Sequence, residues 1–160
     1  MKSKLVYLSK FSGKNASIYS ILTEDNKGTF LDQFIEEYRN DFWEDVIFIV
    51  NRLRIIGQDG AIKKYFKRDE GLEHDDRVCA LYDLPEKNLR LYCIRLYDGI
   101  VIVGNGGAKN VRTWQEDPRL AREVHEMMHY SKIILTKLDN GSLRLSTDGL
   151  KFEGNLLLTY

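Results

Sequence analysis

Two apolar runs, Leu89–Tyr97 and Ile100–Val103, flank the dipeptide Asp98-Gly99, and nothing else in the chain constrains its fold as much. Asp-Gly between strand-forming runs specifies a β-hairpin. In the first run Arg90, Tyr92 and Ile94 alternate with Leu89, Leu91, Cys93 and Arg95, so both faces carry large side chains. Gly104-Asn105-Gly106-Gly107 ends the second strand, and Lys109–Trp114 reads as a loop. Asp117 is then a good N-cap and Pro118 a good first helical residue. The helix is expected to run to about Leu138 and to stop at Asp139-Asn140-Gly141.

The same reading extends outward. Leu5–Leu8 and Ser17–Leu22 are expected strands around the turn-like stretch Lys10–Asn15. Thr29 followed by Asp32 resembles a capping box, with Phe30, Leu31, Phe34, Ile35 and Tyr38 at helical spacing. A second helix is expected from Asp41 to Ile56, with Gly57 as its terminating glycine, which makes an αα-hairpin. Ala61–Phe66 reads as a helical turn, Val78–Leu84 as a strand, and Leu143–Leu145 with Leu150–Leu158 as a terminal β-hairpin. The expected class is α+β: an antiparallel sheet built from consecutive hairpins, with the helices on one side.

The chain of 160 residues fits one domain, 1–160, and no Ser/Gly-rich linker divides it. Lys+Arg and Asp+Glu are equal at 24 each, so there is no global charge to draw it to nucleic acid. A local basic patch is still compatible with that balance. Cys79 and Cys93 are the only cysteines and read as reduced, buried thiols on strands. Met1–Lys10 lacks the apolar core of a signal peptide, and the longest apolar run, Val46–Val50, is too short to span a bilayer. A cytoplasmic protein with no membrane partner is expected.

His125-Glu126-Met127-Met128-His129 spells the H-E-x-x-H pattern, which on a helix stacks two imidazoles for one zinc ion with the glutamate as general base. On a helical wheel Leu120, Val124, Met127, Ser131, Ile134 and Leu138 define the core line. His125 lies about 140° and His129 about 180° from it, near Arg122 and Lys132. The histidines should therefore face outward among cations, and Asp139, Asp148 and Glu153 offer no recognisable third-ligand motif. A small zinc peptidase built on His125, Glu126 and His129 is an alternative; no cofactor is expected otherwise.

A second constellation is less conspicuous. Arg90, Arg95, Lys109 and Arg112 come from adjacent strands and the loop after them, with Trp114 just beyond and Lys67, Arg68 and Arg77 ahead of the same sheet. Cations with an aromatic suit a phosphate backbone and a stacked base. Such cations also stabilise, by charge alone, the pentavalent phosphate formed when a ribose 2′-hydroxyl attacks the scissile bond.

The arrangement resembles the RelE/HigB group of toxins from bacterial toxin–antitoxin systems. In that family an αα-hairpin precedes an antiparallel sheet. An arginine-bearing strand leads to a second strand, a glycine-containing segment, a lysine, and a polar run ending at a proline that opens a helix. Here the corresponding parts are Thr29–Tyr38 and Asp41–Ile56, Leu89-Arg90-Leu91-Tyr92, Ile100–Val103, Gly106-Gly107, Lys109 and Asp117-Pro118. The resemblance covers about Phe30–Leu138 and leaves a terminal hairpin, about 142–159, as an addition.

The resemblance implies cleavage of messenger RNA, on the ribosome or free of it, and neutralisation by an antitoxin. It makes Arg90, Lys109 and Arg112 the candidate catalytic residues. Arg95, Trp114, Lys67, Arg68 and Tyr130 become candidate RNA-binding residues, with Tyr130 or His129 near the family's C-terminal aromatic or histidine. A non-catalytic binding protein on the same fold is the alternative closest to this reading.

Overall fold

A computed structural model describes residues 2–25, 27–67, 77–81, 88–109 and 114–158. Strands β1 (Ser3–Tyr7) and β2 (Ser17–Thr23) form the expected opening hairpin, paired antiparallel from Ser3↔Thr23 to Tyr7↔Tyr19. Helix α1 (Phe30–Tyr38) starts on the capping box: the Asp32 amide donates to Thr29 Oγ1 at 3.2 Å, and the Thr29 amide to Asp32 Oδ2 at 3.0 Å.

Helix α2 (Trp43–Asp59) departs from expectation at both ends. It starts after Phe42, which makes no side-chain cap but sets its ring edge-on to Tyr38 at 5.9 Å. It also runs through Gly57 to Gly60, whose φ of 102° breaks it. Gly57 is a contact residue instead. A Cβ there would lie 2.4 Å from the Phe11 carbonyl, and the amides of Asn15 and Ala16 both donate to the Gly57 carbonyl at 3.1 Å.

A 3₁₀ turn over Lys63–Tyr65 leads into β3 (Phe66–Lys67), followed by β4 (Val78–Leu81), β5 (Leu89–Leu96) and β6 (Ile100–Ala108). Another 3₁₀ turn, Trp114–Glu116, precedes α3 (Pro118–Asn140), and β7 (Leu143–Leu145) pairs with β8 (Phe152–Gly154). Asp117 caps α3 by accepting from the amides of Arg119 and Leu120, and Gly141 ends it in the left-handed region.

The six strands β1–β6 make one sheet in the order β1-β2-β6-β5-β4-β3. It is mixed, not purely antiparallel, because β2 pairs parallel to β6 from Ser17↔Ile100 to Ser20↔Val103. Two further expectations need correction. The segment Gly104–Gly107 belongs to β6, where Leu91 faces Gly106 and Cys93 faces Val103, so β6 carries an extra residue opposite Tyr92. The helices also cover both faces of the sheet. Leu89, Leu91, Cys93, Val101 and Val103 pack with α1 and α2, whereas Tyr92, Ile94, Leu96, Ile100 and Ile102 pack with α3. The large side chains on both faces of β5 are the physical reason: two apolar faces need two covers.

Beyond Ser20 and Val103 the strands β2 and β6 separate, and α1 lies beside the remainder of β6. The Ser20 hydroxyl donates to the Val103 carbonyl at 2.6 Å and accepts from the Leu31 amide at 3.3 Å. The other side of the β1–β2 hairpin is closed by the C-terminal arm. The Leu5 amide donates to the Leu156 carbonyl, the Leu158 amide donates to the Ser3 carbonyl, and the Ser3 hydroxyl donates to the Leu158 carbonyl. Cys79 and Cys93 are buried and unbridged, on facing positions of β4 and β5. Among the described residues no helix is long and apolar enough to cross a membrane.

Candidate functional site

The end of the β5–β6 pair gathers the residues of interest. Leu89 faces Ala108, Arg90 faces Gly107, and the Lys109 amide donates to the Asn88 carbonyl at 2.7 Å. Lys109 therefore follows directly on the strand that pairs with Arg90. The start of β5 is held from below by α2: the Asn88 amide donates to Oδ2 of Asp45, which is buried. Gly106 allows the close approach of the strands, since a Cβ there would lie 1.8 Å from the Arg90 carbonyl. At Gly107 a Cβ would meet Leu120 at 3.1 Å and Arg119 at 3.3 Å, so this end sits under the first turn of α3.

Arg90 shares the α3-facing side of β5 with Tyr92 and is 5% exposed. Lys109 is half-buried. Arg112 and Arg68 lie outside the described residues. Two of the three candidate catalytic positions are thus brought to one end of one strand pair.

The sequence reading missed the ionic feature that frames this end. Arg119, in the first turn of α3, forms a bidentate pair with Glu37 near the end of α1, each N–H···O distance being 2.9 Å. Its Nε also lies 3.4 Å from Glu123. The Arg119 hydrogen bonds hold the Glu37 carboxyl below its ordinary range, and Glu37 in return raises the guanidinium. Glu123 is pushed up by burial, against the pull of Arg119. The Tyr38 hydroxyl is likewise raised by burial. The partners are 82 residues apart, and nothing in a linear pattern joins them.

Other expected contacts fall elsewhere. Arg95 sits at the opposite end of β5, where its guanidinium donates to the Ala61 carbonyl and to Asp98. Five residues of strand, about 17 Å, separate it from Arg90. Trp114 is 6% exposed and packs in the α3 core with its ring edge-on to His125 at 5.5 Å. Tyr130 is fully buried and edge-on to Phe30 at 5.8 Å. Neither ring is open for base stacking here: Trp114, in the 3₁₀ turn before α3, and Tyr130, on α3, both belong to the core cluster that α3 forms with the sheet. Lys67 is exposed on the edge strand β3, opposite Ala80.

His125 and His129 are exposed on α3, as the helical wheel requires. Glu126 between them is partly buried, and burial raises its carboxyl pKa while Arg122 and His129 lower it. Among the described residues no group of three or more His, Cys, Asp and Glu side chains is placed to hold a metal ion.

No family model matches the chain, and neither the curated proteins nor the solved structures contain a significant match to it.

Proposed function

We propose that the chain is a RelE/HigB-like toxin of the cytoplasm that inhibits translation by cutting messenger RNA, and that an antitoxin neutralises it. The observation that carries this reading is the placement of Arg90 and Lys109 at one end of the β5–β6 pair, beneath the capped first turn of α3. The order of parts in the resemblance supports it: two consecutive helices, an arginine strand, a glycine-bearing strand, a lysine, and a helix opened by proline. The αα-hairpin of that family corresponds to α1 and α2.

The chemistry asks little of such a site. The ribose 2′-hydroxyl loses its proton to solvent as its oxygen attacks the neighbouring phosphorus, the P–O5′ bond breaks, the 5′-oxygen takes a proton from solvent, and negative charge grows on the phosphoryl oxygens in between. Fixed cations are worth most where that charge develops. Lys109 would meet the phosphate, Arg112 would complete the contact, and buried Arg90 would supply positive potential from behind. One observation favours a second reading, a binding protein without catalysis: Arg90 is 5% and Trp114 6% exposed, so neither is presented to a substrate in this state.

Induced expression in a bacterial host tests the first reading. Growth arrest is expected from the parent chain and relief from K109A with R112A. Unimpeded growth with abundant folded parent protein overturns it.

A further inference from the structure

We propose that the surface around Leu157 is a docking site for an acidic segment of a protein partner that carries apolar anchor side chains. The inference does not depend on the toxin reading. Two open grooves share Leu157. One, of about 320 Å³, includes Lys2, Lys4, Leu22 and Glu24. The other, of about 590 Å³, lies between the C-terminal arm and α3 and includes His129, Lys132, Ile133, Lys137 and Asn155.

Charge selects the class of partner. Among the described residues, four lysines line these grooves against one carboxylate, Glu24, in a chain whose total charge is zero. A negatively charged ligand is favoured. The shape of the apolar part then decides between ligands. Leu157 is 50% exposed on the ridge between the grooves, with Leu22 on one side and Ile133 on the other. Two recesses flanking an exposed leucine suit alternate apolar side chains of a peptide. An RNA surface would need aromatic faces for its bases and is usually rich in arginine. Neither groove is lined by Phe, Tyr, Trp or Arg among the described residues.

The backbone of the arm limits how the segment is held. Leu157 points both its backbone groups away from β1, yet its carbonyl already accepts from Lys137 Nζ and its amide donates to Asn155 Oδ1. Extension of the sheet by another strand is therefore blocked, and side chains must supply the binding. The site is distinct from the Arg90–Lys109 end, because α3 carries Ile133 about 22 Å beyond Pro118.

The test uses the whole ¹⁵N-labelled chain and three probes in amide-shift titrations: the peptide Glu-Leu-Glu-Asp-Leu-Glu with blocked ends, the same peptide with serine for leucine, and an octamer of oligouridylate. The leucine peptide should give saturable shifts confined to residues 2–4, 129–137 and 155–158. K4E with K132E, both at exposed lysines, should weaken it at least about tenfold while the melting temperature holds. Absence of saturable shifts overturns the proposal. So does equal binding of the serine peptide, which would leave charge attraction alone, and so does tighter binding of the oligouridylate to these residues, which would make the surface an RNA site.

Discussion

Arg119 and Glu37 join helices that lie on opposite faces of the sheet, through two parallel hydrogen bonds of 2.9 Å at the end where Lys109 leaves β6. Their side chains are 30% and 44% exposed, so water screens the pair. R119A or E37A should cost about 1 kcal/mol or less, a melting-point drop of roughly 2–4 °C. Because folding lowers the Glu37 pKa, this contribution is present above the ordinary carboxyl range and fades as pH falls through the folded value. Melting curves from pH 7 to pH 3 should show the parent losing its advantage over R119A.

The glycines of β6 should differ in their tolerance. At Gly106 an alanine Cβ runs into the Arg90 carbonyl, a backbone atom that cannot step aside. At Gly104 it meets the Met127 sulfur, the far end of a flexible side chain, at 2.4 Å. G106A should destabilise by about 3 kcal/mol and G104A by about 1 kcal/mol, as read from denaturant midpoints.

Burial raises the Cys93 thiol pKa well above its ordinary value, and Cys79 beside it adds to the rise. Neither thiol should react with iodoacetamide in the native state at pH 8. Labelling should instead track unfolding as denaturant is added.

Glu126 gives the opposite pH signature to Glu37. Its folded pKa is raised by burial, so the parent loses stability as pH rises through that value. E126Q should melt slightly higher than the parent at pH 7 and no differently at pH 3.5. A fall in stability at pH 7 would mean that the carboxylate has a favourable partner.

Local signals in the sequence were the legible ones. Thr29 with Asp32, and Asp117 with Pro118, mark helix starts because capping is settled within a few residues. Asp98-Gly99 marks the hairpin, although the positive φ falls on Tyr97, and Gly99 is small because a Cβ would lie 2.5 Å from the Gly149 carbonyl. What escaped the reading depends on distant partners. Gly57 looked like a helix end because the Phe11–Ala16 loop packed on it is invisible in a window. Gly104–Gly107 looked like the point where the strand ends because Met127 and Leu120 fill the space that side chains would take. Tyr130 fell off the expected core line because Phe30 enters that core from the start of α1. Arg90 and Lys109 were legible as candidates, while the Arg119–Glu37 pair beside them was not.

Primer extension on transcripts after induction is the most direct test of the proposed RNA cleavage at the Arg90–Lys109 end. New RNA 5′ ends should appear within minutes in cells making the parent chain and be absent with K109A and R112A combined. Intact transcripts in cells whose growth the folded parent protein nevertheless arrests would contradict cleavage and leave binding as the activity.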